Sequence, residues 1–171
     1  GIPYHKLHLL TGRGANPSWT GGSAMLAEAG SIQLEWKYLS RLTGNPIYAA
    51  KVDRFMQILS DMDSVHFQPE RAQASHRYPP WGHWDDEGRA IRGLWPLLID
   101  PEEARFTTDV VSFGGMADSF YEYLLKQWRL TGRTEPRFRE MYDLAMQGMQ
   151  DRLLGRSHPS GYTFVGKWKD G

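Results

Sequence analysis

SFYEYLLKQWRLTG (119–132) decides the fold, because the chain carries a second version of it, SIQLEWKYLSRLTG (31–44). The two match at the opening Ser and at the closing Arg-Leu-Thr-Gly, and a Pro-initiated amphipathic segment follows each. A repeat of this kind marks a tandem of helical hairpins.

Working outward from the repeat, periodicity predicts four helices. The first runs from about Ala24 to Thr43, with Met25, Ala29, Ile32, Trp36 and Leu39 as its apolar stripe, Ser23 as N-cap and Gly44 as stop. Asn45 then caps a second helix that has Pro46 at its start and Tyr48, Val52, Phe55 and Leu59 on one face. The third, Ser119 to Thr131, is apolar around most of its girth and is expected to be buried. The fourth, from about Pro136 to Leu154, has Phe138, Tyr142, Ala145, Met149 and Leu153 in one stripe and is expected to cover the third. Short strands are expected at IPYHKLHLL, GLWPLLID and GYTFVGKW, each bounded by turn residues or lying near a hairpin end. The fold class is therefore all-α with short β-strands or hairpins, part of an α/α toroid built from tandem hairpins. Two hairpins cannot close such a ring, so further chain or a partner has to.

Composition narrows the partners. The length, 171 residues, suits one domain. Lys plus Arg and Asp plus Glu each total 20, so no net field selects nucleic acid or an anionic membrane. Without cysteine there is no disulfide framework and no thiolate metal site. No window approaches the roughly 20 apolar residues that span a bilayer, and the opening has neither the look of a signal peptide nor of an anchor. The chain starts with Gly and ends just after a strand-like stretch, which reads as an excerpt of a longer protein.

FGGMAD (113–118) leads into the third helix. Ser119 and Glu122 have capping-box spacing, so the cap is expected from Ser119, and Asp118 stands one residue outside it. On local grounds Asp118 reads first as a helix-start carboxylate favoured by the dipole and second as a site residue. The repeat adds to the second reading: if Ser31 and Ser119 sit at the same height, Glu28 and Asp118 face each other near one mouth of the toroid. Two carboxyl groups so placed suit glycoside hydrolysis, where one protonates the leaving oxygen and another activates water. First-turn stabilisation is the plainer reading for Glu28.

Other groups are weaker. His83, Asp85 and Asp86 in HWDDEGR offer cation ligands without diagnostic spacing. Trp81, Trp84 and Trp95 suit either sugar platforms or, more often, loop anchors in the core. TGRGA (11–15) reads as a turn, since it lacks a P-loop lysine. Lys51, Asp53, Arg54, Arg137, Arg139 and Glu140 read as solvated helix surface, and no nucleophile elbow is present.

With FGGMADSFYEYLLKQWRLTG, AEAGSIQLEWKYLSRLTG, the opening GIPY and GLWPLLID in this order, the chain resembles the class I α-1,2-mannosidases, glycoside hydrolase family 47, over essentially its whole length. The resemblance implies an α/α barrel of seven hairpins, about two of them here. It also implies removal of α-1,2-linked mannose from high-mannose N-glycans by inversion, with a bound calcium ion (Ca2+) holding sugar hydroxyls, in the secretory pathway or outside the cell. Asp118 matches a catalytic aspartate of the family, and Glu28 a glutamate that lines the sugar pocket rather than a catalytic one. Met116 stands where the endoplasmic-reticulum enzymes have Arg. A thioether there is expected to remove hydrogen bonds to one glycan branch and to broaden selectivity. The family's other catalytic glutamates and its calcium-binding threonine match nothing in this chain, so the chain alone is expected to be inactive. The alternatives are a glycan-binding, weakly catalytic relative acting in glycoprotein degradation and a helical scaffold with a protein partner.

Overall fold

The structure, a computed structural model, describes residues 1–65 and 92–169. The chain opens with an antiparallel hairpin of β1 (Lys6–His8) and β2 (Arg13–Ala15), Leu7 opposite Gly14. TGRGA supplies its turn, with Gly12 at φ 68°, and then continues as β2. Next, β3 (Ala24–Met25) pairs with β4 (Leu98–Asp100), which pairs in turn with β5 (Arg105–Phe106). A last hairpin joins β6 (Leu154–Arg156) to β7 (Thr163–Val165). The three expected strand regions are all present but shorter: in GLWPLLID only Leu98–Asp100 is strand, while Leu94, Trp95 and Leu97 are buried in the core.

The helices are α1 (Leu26–Ala29), α2 (Gln33–Thr43), α3 (Ile47–Val65), α4 (Asp118–Leu130) and α5 (Pro136–Arg152). The single helix expected over 24–43 is thus broken. Ala24 and Met25 are held extended by pairing with Ile99 and Leu98. Ser23 does not cap; its hydroxyl hydrogen-bonds Thr107 at 2.7 Å. At Gly30 the ring of Phe120 lies so close that a Cβ would stand 2.4 Å from it, and α2 starts afresh beyond. The buried Gln33 spans the break, donating from Nε2 to the Gly30 carbonyl at 2.7 Å.

The second helix begins as expected, with Asn45 Oδ1 accepting the Ile47 N–H at 3.1 Å after Gly44 has turned the chain at φ 68°. Val52, Phe55 and Leu59 are buried on its inner face and Tyr48 is half-buried. Two burial expectations fail. Trp36 and Leu39 are 39% and 38% exposed, and what α2 buries is Gln33. Likewise α4 hides only Phe120, Tyr121, Leu124 and Gln127, with Glu122, Lys126, Arg129 and Leu130 exposed. On α5 the stripe holds at Phe138 and Ala145, Met141 and Gly148 are buried beside it, and Leu153 is buried just beyond the helix end.

The repeat register is real. The hydroxyls of Ser31 and Ser119 both donate to the Ala27 carbonyl, Ser119 at 3.4 Å. Farther along, Tyr123 donates to Glu35 at 2.8 Å, and these two residues occupy the same position, 88 residues apart, in the two copies. Therefore α2 and α4 run side by side in the same direction and at the same height. Asp53 and Arg137 are not merely solvated: Lys37 on α2 bridges Asp53 on α3, at 2.7 Å, and Glu135 ahead of α5, and Arg137 reaches Asp53 at 3.4 Å and Gln57 at 2.9 Å. Gln127 on α4 completes the junction by donating to Glu135 at 3.2 Å.

Candidate active site

The segment before α4 is shaped by its backbone. Gly114 O accepts the N–H groups of Ala117 and Asp118, at 3.1 and 2.9 Å, which closes a tight turn. Within it Met116 has φ 74°, a left-handed conformation rare for a side chain of its size. What holds it there is partly visible: its carbonyl accepts the Ala27 N–H at 2.8 Å, and its side chain packs partly against the main core. The thioether is therefore half-buried rather than fully presented to a ligand.

Asp118 is the first residue of α4, and the capping box expected at Ser119 and Glu122 does not form. The residue at the N-cap is Ala117, with no side-chain cap bond. Ser119 spends its hydroxyl on Ala27, and Glu122 pairs with Lys126 at 2.8 Å. Asp118 Oδ1 accepts the Ser119 N–H at 2.9 Å, and the residue is exposed. It is both a partial helix-start acceptor and an open carboxylate, not one walled off by hydrocarbon.

Glu28 belongs to α1, whose four residues are pinned at both ends: Leu26 N–H donates to Leu97 O at 2.9 Å, and Gly30 N–H to Leu26 O at 2.8 Å. The Ala27–Met116 hydrogen bond fastens this element to the turn that carries Asp118, so the two acids sit on adjoining segments, as the repeat implied. Glu28 lines a cleft of about 300 Å³ with Tyr4, His5, Asn16, Met25 and Trp36, and neither Asp118 nor Met116 lines it.

In that cleft His5 Nδ1 lies 2.8 and 2.9 Å from the two oxygens of Glu28. The His5 backbone is held by Asn16, whose Oδ1 accepts its N–H at 2.9 Å. Tyr4 donates to Glu102, and that bond raises the phenol's pKa above its ordinary value. Sequence reasoning missed His5, Asn16 and Tyr4, because the hairpin that carries them reads only as a strand and a turn. Trp36, expected in the buried stripe, is exposed because the break at Gly30 changes the register of the stripe. Tyr123, one turn below Asp118, has its pKa raised by the hydrogen bond to Glu35 and then by burial.

Trp95 settles on the core side of its two readings: it is 1% exposed, donates from Nε1 to the Leu59 carbonyl at 3.1 Å, and meets Phe120 edge-on at 5.3 Å. His83, Asp85, Asp86, Trp81 and Trp84 lie outside the described residues. Among the described residues no three His, Asp or Glu side chains converge to hold a metal ion, and no helix is long and apolar enough to cross a membrane.

Comparison with known proteins agrees with this architecture. Mannosyl-oligosaccharide alpha-1,2-mannosidase IA of Drosophila melanogaster is 34% identical over 99% of this chain and 21% of its own length. The human mannosyl-oligosaccharide 1,2-alpha-mannosidase IB is 34% identical over 100% of this chain and 23% of its own. For the endoplasmic reticulum mannosyl-oligosaccharide 1,2-alpha-mannosidase of Saccharomyces cerevisiae the figures are 33%, 100% and 27%. The chain thus spans about a quarter of the length of these curated relatives. Among solved structures, alpha-1,2-mannosidase from Trichoderma reesei superposes with a TM-score of 0.61 at 26% identity, covering 86% of this chain and 26% of that one. The two hairpins are accordingly part of an α/α barrel. Residues 1–171 match the model for glycosyl hydrolase family 47, and the chain belongs to that family.

Proposed function

We propose that these residues form part of the sugar site of an α-1,2-mannosidase that removes terminal α-1,2-linked mannose from high-mannose N-glycans with inversion. The observation that carries this is Asp118: in a chain matching the family end to end, it stands exposed at the head of α4, on a turn tied to the segment bearing Glu28. In this reading Asp118 is one of the carboxyl groups that an inverting glycosidase places around the scissile bond. Glu28, in its cleft, accepts hydrogen bonds from sugar hydroxyls. Met116 presents no hydrogen-bond donor from its side chain, so it leaves one branch of the glycan unrestrained and several linkages open to cleavage.

Calcium belongs to the proposal only for a longer protein. Among the described residues no acidic cluster fits the ion, so none of these side chains is assigned to it and no step is drawn through it. The name of the Saccharomyces cerevisiae relative, an endoplasmic reticulum enzyme, supports a place in the secretory pathway.

The test uses the full-length protein. Mannose release from a high-mannose glycan is expected from the wild type, and Asp118→Asn is expected to lower kcat by about 100-fold or more, within the range for loss of a positioned acid or base. Near-wild-type release by the variant contradicts the assignment. No release by the wild type contradicts the activity itself.

A further inference from the structure

We infer that His5 is a positioning residue for Glu28, holding its carboxylate in the orientation that binds sugar in this cleft. The inference rests on the glycan-binding reading above and adds to it a residue from a different element. One ring nitrogen, Nδ1, sits 2.8 and 2.9 Å from the two carboxylate oxygens, an arrangement that holds the carboxylate plane rather than one oxygen alone. The backbone that carries the ring is held: Asn16 Oδ1 accepts the His5 backbone N–H, and Asn16 Nδ2 donates to the Gly22 carbonyl at 2.9 Å, fixing the hairpin against the chain ahead of β3. His5 and Glu28 side chains are 33% and 41% exposed, so both are within reach of a ligand in the cleft.

The chemistry follows from imidazole. Charged, His5 donates from Nδ1 to Glu28 in a charge-assisted bond and from Nε2 to the cleft. Neutral, it keeps the Nδ1–H tautomer on Glu28 through a weaker bond, and Nε2 becomes an acceptor. In either form Nδ1–H holds the Glu28 carboxylate, and Nε2 is left to meet a sugar hydroxyl. The other groups around the pair do not duplicate this contact: Tyr4 on the same segment is engaged by Glu102, and β3, α1 and α2 contribute neutral Ala24, Met25, Ala29 and Trp36.

The experiment measures binding of a non-hydrolysable sulfur-linked α-1,2-mannobioside to the full-length protein by calorimetry. His5→Ala is expected to raise Kd about fivefold, the size of a modest coupling between two sites. His5→Asn keeps an N–H near the place of Nδ1, so it should recover most of that loss. Equal Kd in wild type and His5→Ala, or no recovery in His5→Asn, overturns the inference while leaving the glycan reading intact. Absence of binding by the wild type, with no mannose release, overturns both. A double-mutant cycle guards against a folding defect: in the Glu28→Gln background His5→Ala should change Kd little, and an undiminished loss there would refute the pairing.

Discussion

Gly30 shows how one residue sets the site. The Phe120 ring stands where its side chain would be, and the Leu26 carbonyl lies 2.8 Å from the same point, so Gly30→Ala forces either ring or backbone to move. Overpacking of this sort costs about 1–3 kcal/mol, and chemical denaturation of the full-length protein should show a loss in that range. Because Gly30 joins α1 to α2, the same change should also weaken mannobioside binding at Glu28. Other residue-scale features were invisible in the sequence. Ser119 and Glu122 had the spacing of a capping box, yet the Ser119 hydroxyl is drawn 92 residues away to Ala27. His5 meets Glu28 across 23 residues, and no local pattern announces a contact that only a folded hairpin can make.

At the scale of elements, the repeat was legible because both copies end in the same stop signal and both are followed by Pro, features that act locally. The break in the first helix was not, since it depends on Ala24 and Met25 pairing with a strand more than 70 residues later. What aligns α2 with α4 is in part the Tyr123–Glu35 hydrogen bond. Its loss in Tyr123→Phe should cost about 0.5–1 kcal/mol, the usual worth of one such bond. The bond also raises the Tyr123 pKa in the folded state. Folding then favours the protonated phenol, so this contribution is fully present below the unfolded tyrosine value and is lost as pH rises through the folded one. A stability profile measured into the alkaline range should lose that component in the Phe variant. A further tie is Lys37, 12% exposed between Asp53 and Glu135. Lys37→Met leaves those acids without their shared cation and is expected to destabilise by about 1–3 kcal/mol, below the cost of breaking a fully buried pair because Asp53 stays partly in water.

Across the whole molecule, the fold class was readable from hairpin repeats, and the match to part of an α/α barrel bears it out. The exposed apolar residues are the complement of that partial match. Leu7, Leu9, Leu10 and Trp19 on and after the first hairpin, and Tyr38, Leu39 and Leu42 along α2, are open to solvent. In a chain spanning a quarter of its relatives' length, such surface is where adjoining barrel elements are expected to pack. The 171 residues expressed alone should therefore self-associate or bind a hydrophobic dye, as read by size-exclusion chromatography, and the full-length protein should do neither.

The central claim is a matter of position: residue 118 meets the sugar. The most direct measurement is a crystal structure of the full-length Asp118→Asn variant with α-1,2-mannobiose. The account predicts the residue 118 side chain within hydrogen-bonding distance of the glycosidic oxygen or of a water bound to it, and Glu28 against sugar hydroxyls nearby. A sugar bound elsewhere, with residue 118 facing bulk solvent, would contradict it.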